Sequence, residues 1–227
     1  MQRMNSKQLR KIKPINGEDK LIKRNPIYFV LDNVLDTYNI GSIFRLGDAC
    51  AVEKIFICGD SEYPPSSRIH KAAVGTEEWV PWEYNSSTVE TIKKLKSEGV
   101  QIIAIEQDKR SIPYSLLSNK TNLPVALVVG HETNGVSKEV LDLADLIVEL
   151  PMFGINNSLN VWGSLAIVSY KVIEYLIFKP FSTCSLIYSA GVFLFGTANV
   201  GIIHLPKVIS TLHISAIFMV FSIASGN

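Results

Sequence analysis

Residues 125–137 read VALVVGHETNGVS. The first five are all apolar, with no polar side chain at alternate positions. A strand with one wet face would alternate, so this one is covered on both faces. That pattern predicts a mostly parallel sheet with helices on each side, an α/β fold. The run breaks at Gly130, and Gly135 follows five residues later with Glu132 between them. Two glycines after a buried strand can turn backbone amides toward a ligand, or simply make a strand-to-helix turn. Their spacing fits neither the dinucleotide fingerprint nor a Walker loop. In parallel sheets ligands sit beyond the carboxyl ends of strands, so the segments after strands are where a site is sought.

Working outward, 27–31, 54–58, 101–106 and 146–150 are further buried strands, with 79–83 a weaker one. Helical patterns run over 39–50, 87–98 and 137–143. Asn39 and Ser137 are expected N-caps and Gly99 an expected stop. After the first strand comes DNVLDTYNIGSIFRLGDACA (32–51). Gly41 permits close backbone approach. Arg45 lies six residues beyond Asn39, about 1.7 turns, so the two are on different faces. A cap and a surface arginine explain this segment equally well. After the last strand comes LPMFGINNSLNVWGSLA (150–166). Ser158, Leu159 and Asn160 open a long helix there, with Ser158 as its expected cap and free amides as a ligand or anion site, or as nothing more than a capped terminus. Arg68, His70 and Lys71 follow the second strand and can hold phosphates.

The chain has 227 residues, 47% hydrophobic and 19% charged, which excludes a disordered class. Three cysteines without CxxC spacing and four scattered histidines predict no disulfide framework and no metal site. No apolar stretch opens the chain, which predicts a cytoplasmic protein. The net charge of +1 divides unevenly. Residues 1–24 form a basic head of eight cations and two acids, either a solvated terminus or an arm for phosphates. Residues 25–176 carry twelve cations and nineteen acids. Residues 177–227 form an apolar tail with only Lys179 and Lys207. Two uncharged stretches there, 181–206 and 208–227, are each long enough to cross about 30 Å of hydrocarbon as a helix. The tail is either a membrane hairpin or an extension that adds little to the working protein.

Three motifs in order, NIGSIFR (39–45), LVVGHETNGVS (127–137) and LPMFGINNSLNV (150–161), with the linking run KAAVGTEEWVPWEY (71–84), carry a resemblance. Over about residues 25–176 the sequence resembles the SpoU (TrmH-type) 2′-O-ribose RNA methyltransferases of the SPOUT class. The resemblance implies a sheet whose C-terminal part is tied in a trefoil knot, and S-adenosylmethionine as cofactor. It implies that backbone groups of Gly130, Leu150 and Leu159 hold the adenine and that Ser158 and Asn160 line the same pocket. It gives Arg45 the leading catalytic part, Asn39 an organising one, and places Glu132 at the RNA-facing rim. Arg68 and Lys71 become RNA contacts, the partner becomes structured RNA (tRNA favoured over rRNA), and the active unit becomes a homodimer. A non-catalytic, membrane-attached RNA-binding protein is the competing expectation. Trp162 stands where the family has a small residue, and an indole forced into the cofactor pocket would damage it. His131 likewise stands where a smaller or amide residue is usual.

A knotted body would have to draw the tail through a loop, which slows folding. A chain ending at Leu176 is therefore expected to fold and dimerise at least as well as the full chain, measured by circular dichroism and size-exclusion chromatography.

Overall fold

The computed structural model describes residues 4–15 and 21–177. Seven strands form one sheet: β1 (Asn25–Asp32), β2 (Val52–Cys58), β3 (Trp82–Asn85), β4 (Gln101–Ile105), β5 (Ile112–Pro113), β6 (Val125–Gly130) and β7 (Leu146–Glu149). Their order is β3-β2-β1-β6-β4-β7-β5, and every pairing is parallel. Helices α1 (Ser6–Leu9), α2 (Thr37–Ala49), α3 (Ser67–Ala73), α4 (Thr88–Ser97), α5 (Lys138–Leu143) and α6 (Val161–Ile177) complete the described chain.

The all-apolar strands are explained by two cores. On one face, Ile27, Phe29 and Leu31 of β1 pack with Ile40, Ile43 and Phe44 of α2, Ile69 of α3, and Leu165, Val168 and Val172 of α6. On the other face, Val30 and Phe56 pack with Ile92 and Leu95 of α4 and Val140 of α5. Successive strand residues point to opposite faces, so a strand covered twice must be apolar throughout. Burial pushes the Cys50 and Cys58 thiols up to about 12 and about 11, so neither is poised to react near neutral pH.

Several expectations are corrected. The weak strand expected over 79–83 is displaced to Trp82–Asn85, because residues 76–78 form a 3₁₀ turn and Pro81 has no N–H to pair. Helix α3 and the short β5 escaped the sequence reading. Asn39 does not cap α2: Asp36 does, its side chain accepting from the Tyr38 N–H at 2.8 Å. Ser137 does stand at the N-cap position of α5, but its side chain makes no capping bond, while its N–H donates to Asp32. Gly99 does end α4, with φ +79. The basic head is not wholly free. The Ile12 carbonyl accepts from Trp79 Nε1 at 3.2 Å, and Lys13 pairs with Glu78 at 2.6 Å. Arg24 donates to the carbonyls of Val52 and Trp79. Among the described residues no helix is long and apolar enough to cross a membrane, and both readings of the tail fall on residues outside the described ones.

Gly41 sets how closely α2 and α3 cross. A Cβ built there would lie 2.5 Å from Ala72 Cβ and 2.7 Å from the Ile69 carbonyl oxygen. Helix backbone cannot yield as a flexible side chain does. Gly41→Ala is expected to cost about 1–3 kcal/mol, a fall of several degrees in Tm by scanning calorimetry.

Candidate active site

Three loops meet beyond the carboxyl ends of β4, β6 and β7. Between them lies a cleft of about 450 Å³. Its walls include Glu106 and Gln107 after β4, Gly130 to Thr133 after β6, and Leu150, Asn157, Ser158 and Leu159 after β7.

The loop after β6 is shaped by its two glycines. His131 and Gly135 bond to each other's backbone twice, at 3.0 and 2.8 Å. The chain thereby folds back onto Gly130, where an added Cβ would sit 2.2 Å from Gly135 backbone atoms. Gly135 itself has φ +69, the left-handed region that glycine tolerates. The amides of this loop do not all face the cleft, as two glycines after a strand had suggested. Thr133 N–H donates to His131 Nδ1 at 2.9 Å, Val136 N–H to Glu106 Oε2 at 2.9 Å, and Ser137 N–H to Asp32 Oδ2 at 2.8 Å. Glu106 and buried Asp32 thus clamp the loop from two strand ends. Sequence reasoning missed both, although a lone acid at the end of an apolar strand is a legible signal.

Glu132, at the loop's tip, accepts from the Leu35 N–H (3.1 Å), the Asp36 N–H (2.9 Å) and Asn39 Nδ2 (2.8 Å). It therefore satisfies orphan donors at the start of α2. Partial burial pushes its carboxyl up. The hydrogen bonds from Asn39 and from the backbone of Asp36, Glu132 itself and Leu35 outweigh this and hold it below the usual carboxylate range. Buried Asn39 also accepts from Asn160 Nδ2 at 3.0 Å. Asn160 Oδ1 in turn accepts from the Trp162 N–H at 3.0 Å, so Asn160, not Ser158, caps α6. Ser158 instead turns to Asn156 Oδ1. Gln107 Nε2 donates to the Asn157 carbonyl at 2.6 Å, tying the same loop to β4.

Of the expected cofactor residues, Gly130, Leu150, Ser158 and Leu159 line the cleft, and Asn160 does not. Glu132 lies at its edge and Asn39 supports Glu132 from behind. The structure does not bring Arg45 to this cleft. It is exposed on α2, one turn beyond Gly41 and so on the flank facing α3, where Arg68 and Lys71 are also exposed. The Trp162 indole is 43% exposed and outside the cleft, so it does not plug the pocket. His131 does line it, with Nδ1 turned into its own loop.

The chemistry of the walls restricts the ligand. Glu106, Glu132 and Glu149 line the cleft and no lysine or arginine does. A ligand carrying phosphates would meet carboxylates, whereas a flat base with a positively charged centre would meet backbone, apolar side chains and favourable charge. Among the described residues no group of three or more His, Cys, Asp or Glu side chains could hold a metal ion.

A parallel sheet with three loops closed over its carboxyl edge defines an α/β cofactor-binding domain. A model of the SpoU rRNA Methylase family matches residues 26–170. The chain belongs to that family. It is 32% identical over 145 residues to the 23S rRNA (guanosine-2′-O-)-methyltransferase RlmB of Nitrosomonas europaea, covering 64% of this chain and 55% of that one. It is 30% identical over 158 residues to the RlmB of Neisseria meningitidis serogroup B, covering 68% and 61%. The chain thus spans less than two thirds of these relatives' length. Among solved structures it is similar to a TrmH/SpoU tRNA modifying enzyme of A. aeolicus, with TM-score 0.63, 25% identity, and coverage of 98% of this chain and 96% of that one. It is also similar to an AdoMet-bound rRNA methyltransferase of Sinorhizobium meliloti, with TM-score 0.63, 27% identity, and coverage of 74% and 60%.

The depressed carboxyl of Glu132 makes a stability prediction with a definite sign. Its contribution is present above the ordinary glutamate value of about 4.3 and is lost as pH falls through the lower folded value. Melting temperatures of the parent are expected to fall on acidification below about pH 4. Glu132→Gln should start lower at pH 7 and show a shallower fall, measured by thermal melts from pH 7 to 3.

Proposed function

We propose that the protein transfers a methyl group from S-adenosylmethionine to a ribose 2′-hydroxyl of structured RNA, with tRNA favoured. The observation that carries this reading is the Glu132–Asn39–Asn160 chain, which holds all three motifs around one acidic cleft. S-adenosylmethionine, when bound, supplies a methyl already activated by a sulfonium. The backbone of Gly130, Leu150 and Leu159 would hold its adenine, with Ser158 beside it. Asn160 would act at one remove, by positioning Asn39. Glu132 is committed to three donors, so its part is to fix the rim of the cleft rather than to move a proton.

Arg45 would grip the phosphate beside the reacting ribose and favour the developing alkoxide. It makes a poor general base, because a guanidinium keeps its proton up to a pKa of about 12.5–13.8. Arg45 lies outside the cleft of its own chain, so a second copy is needed to bring arginine and cofactor together. A homodimer is supported by the outer face of α6, where Trp162, Ile167 and Tyr170 are exposed, and by exposed Phe153 and Ile155 in the preceding loop. The expected trefoil knot belongs to the same reading. It is supported by the seating of residues 157–160 against Gln107 and Asn39, elements far earlier in the chain.

The tRNA preference is supported by the near end-to-end similarity to the A. aeolicus tRNA modifying enzyme. An rRNA target is the second reading, favoured by the two RlmB relatives. Mapping methylated riboses in cells with and without the protein separates them. With labelled cofactor, Arg45→Ala is expected to lose at least about 100-fold in methyl transfer while calorimetric binding of S-adenosylmethionine is unchanged. A purified full-length chain that binds no S-adenosylmethionine would overturn the catalytic reading.

A further inference from the structure

A second hollow, of about 520 Å³, lies between α3 and the sheet edge at β3. Ser66, Ser67, His70, Glu77 and Trp82 line it, with Lys13 at one side. Beside it three aromatic rings gather. Tyr63 and Tyr84 have centroids 4.4 Å apart and planes 33° apart, and Tyr63 lies 6.2 Å from Trp82. Tyr63 is 44% exposed and Tyr84 38%. The Tyr84 hydroxyl donates to the Gly59 carbonyl at 3.0 Å, which holds that ring in place. A fixed, half-exposed ring cluster offers a ready stacking surface.

The polar wall points the same way. Glu77 is buried, with one carboxyl oxygen bonded to His70 Nδ1. Its other oxygen is also buried and has no hydrogen-bond partner among the described residues. Buried acceptors are nearly always satisfied, so this one calls for a donor from beyond the described residues. Inside the hollow Lys13 is already paired with Glu78, and Glu77 adds a second carboxyl group. That favours a neutral, flat group with an N–H edge over a phosphate. Arg68 and Lys71, exposed on α3, supply the cations that a sugar-phosphate backbone would need.

We propose that this hollow takes an unpaired nucleobase of the RNA substrate, stacked on Tyr63 and offering an N–H to Glu77, with Arg68 and Lys71 on the adjoining phosphates. Aromatic stacking with edge recognition is how proteins read splayed single-stranded bases. Strand β3 stands three places from β6 in the sheet, about 14 Å at 4.8 Å per strand. The base held here is read apart from the cofactor cleft of the same chain, so the hollow bears on which RNA is chosen.

The proposal rests on RNA being the substrate, and the test separates the two. The full-length protein is titrated into a fluorescein-labelled single-stranded RNA hexamer and anisotropy is read. Tyr63→Ala is expected to weaken binding at least about fivefold, and Tyr63→Phe, which keeps the ring, to bind as the parent does. In the methyl-transfer assay Tyr63→Ala should raise KM for RNA with kcat and S-adenosylmethionine binding unchanged. Glu77→Gln should alter which base of the hexamer is preferred. Methyl transfer with an unchanged KM and unchanged hexamer affinity in Tyr63→Ala would overturn the base pocket and leave the enzymatic reading intact. Equal losses in Tyr63→Ala and Tyr63→Phe would also overturn it. Tyr63-dependent RNA binding by a protein that binds no S-adenosylmethionine would uphold the pocket and remove the enzymatic reading.

Discussion

A single buried amide holds the candidate site together. Asn39 donates to Glu132 and accepts from Asn160, joining segments 93 and 121 residues away in the chain. An amide does both at once, its NH2 donating to Glu132 while its oxygen accepts from Asn160, whereas a carboxylate would repel Glu132. Each partner brings its own loop. Glu132 carries the turn after β6 to the start of α2, and Asn160 fixes the start of α6 by capping it. Because Asn39 is buried, leaving either side of the amide unpaired costs its desolvation, so the three loops hold or fail as one unit.

Carboxylates at strand ends do the remaining structural work. Asp32 closes β1 by accepting from Thr88, Asn33 and the Ser137 N–H. Glu106 closes β4 by accepting from the Val136 and Gln107 amides. These bonds shape the loop that folds back over Gly130, and Glu106 also lines the cleft beside Glu132 and Glu149. Structure and selectivity thus share a cause. The same groups that order the backbone make the cleft hospitable to a cationic ligand and hostile to phosphates, while Arg45, Arg68 and Lys71 stand outside, on α2 and α3.

Under the proposed activity, that separation bears on how RNA is engaged. The body as a whole is acidic, so attraction of RNA depends on local patches. The close α2–α3 crossing at Gly41 places Arg45, Arg68 and Lys71 on neighbouring helices. The exposed apolar side chains of α6 lie in the same layer, and in the proposed homodimer a second copy seated there would bring the arginine of one chain to the cleft of the other.

Much of the fold was legible in the residues themselves. The uninterrupted apolar run of 125–129 and the largely apolar runs in β1, β2, β4 and β7 read as buried strands, and Gly130, Gly135 and Gly99 marked real turns. Two of the three motifs likewise marked loops that meet at the cleft, and the third, 39–45, lies in α2 behind them. The sequence could not show which side chain would answer which. Asp36 rather than Asn39 caps α2, and Asn160 rather than Ser158 caps α6. Trp162 faces outward, and Trp79 and Glu78 bind part of the basic head. Periodicity reports how deeply a residue is buried, because burial repeats with the turn of a helix or the pleat of a strand. Hydrogen-bond partners follow instead from the strand order β3-β2-β1-β6-β4-β7-β5, which sets distant segments side by side and which no local pattern encodes.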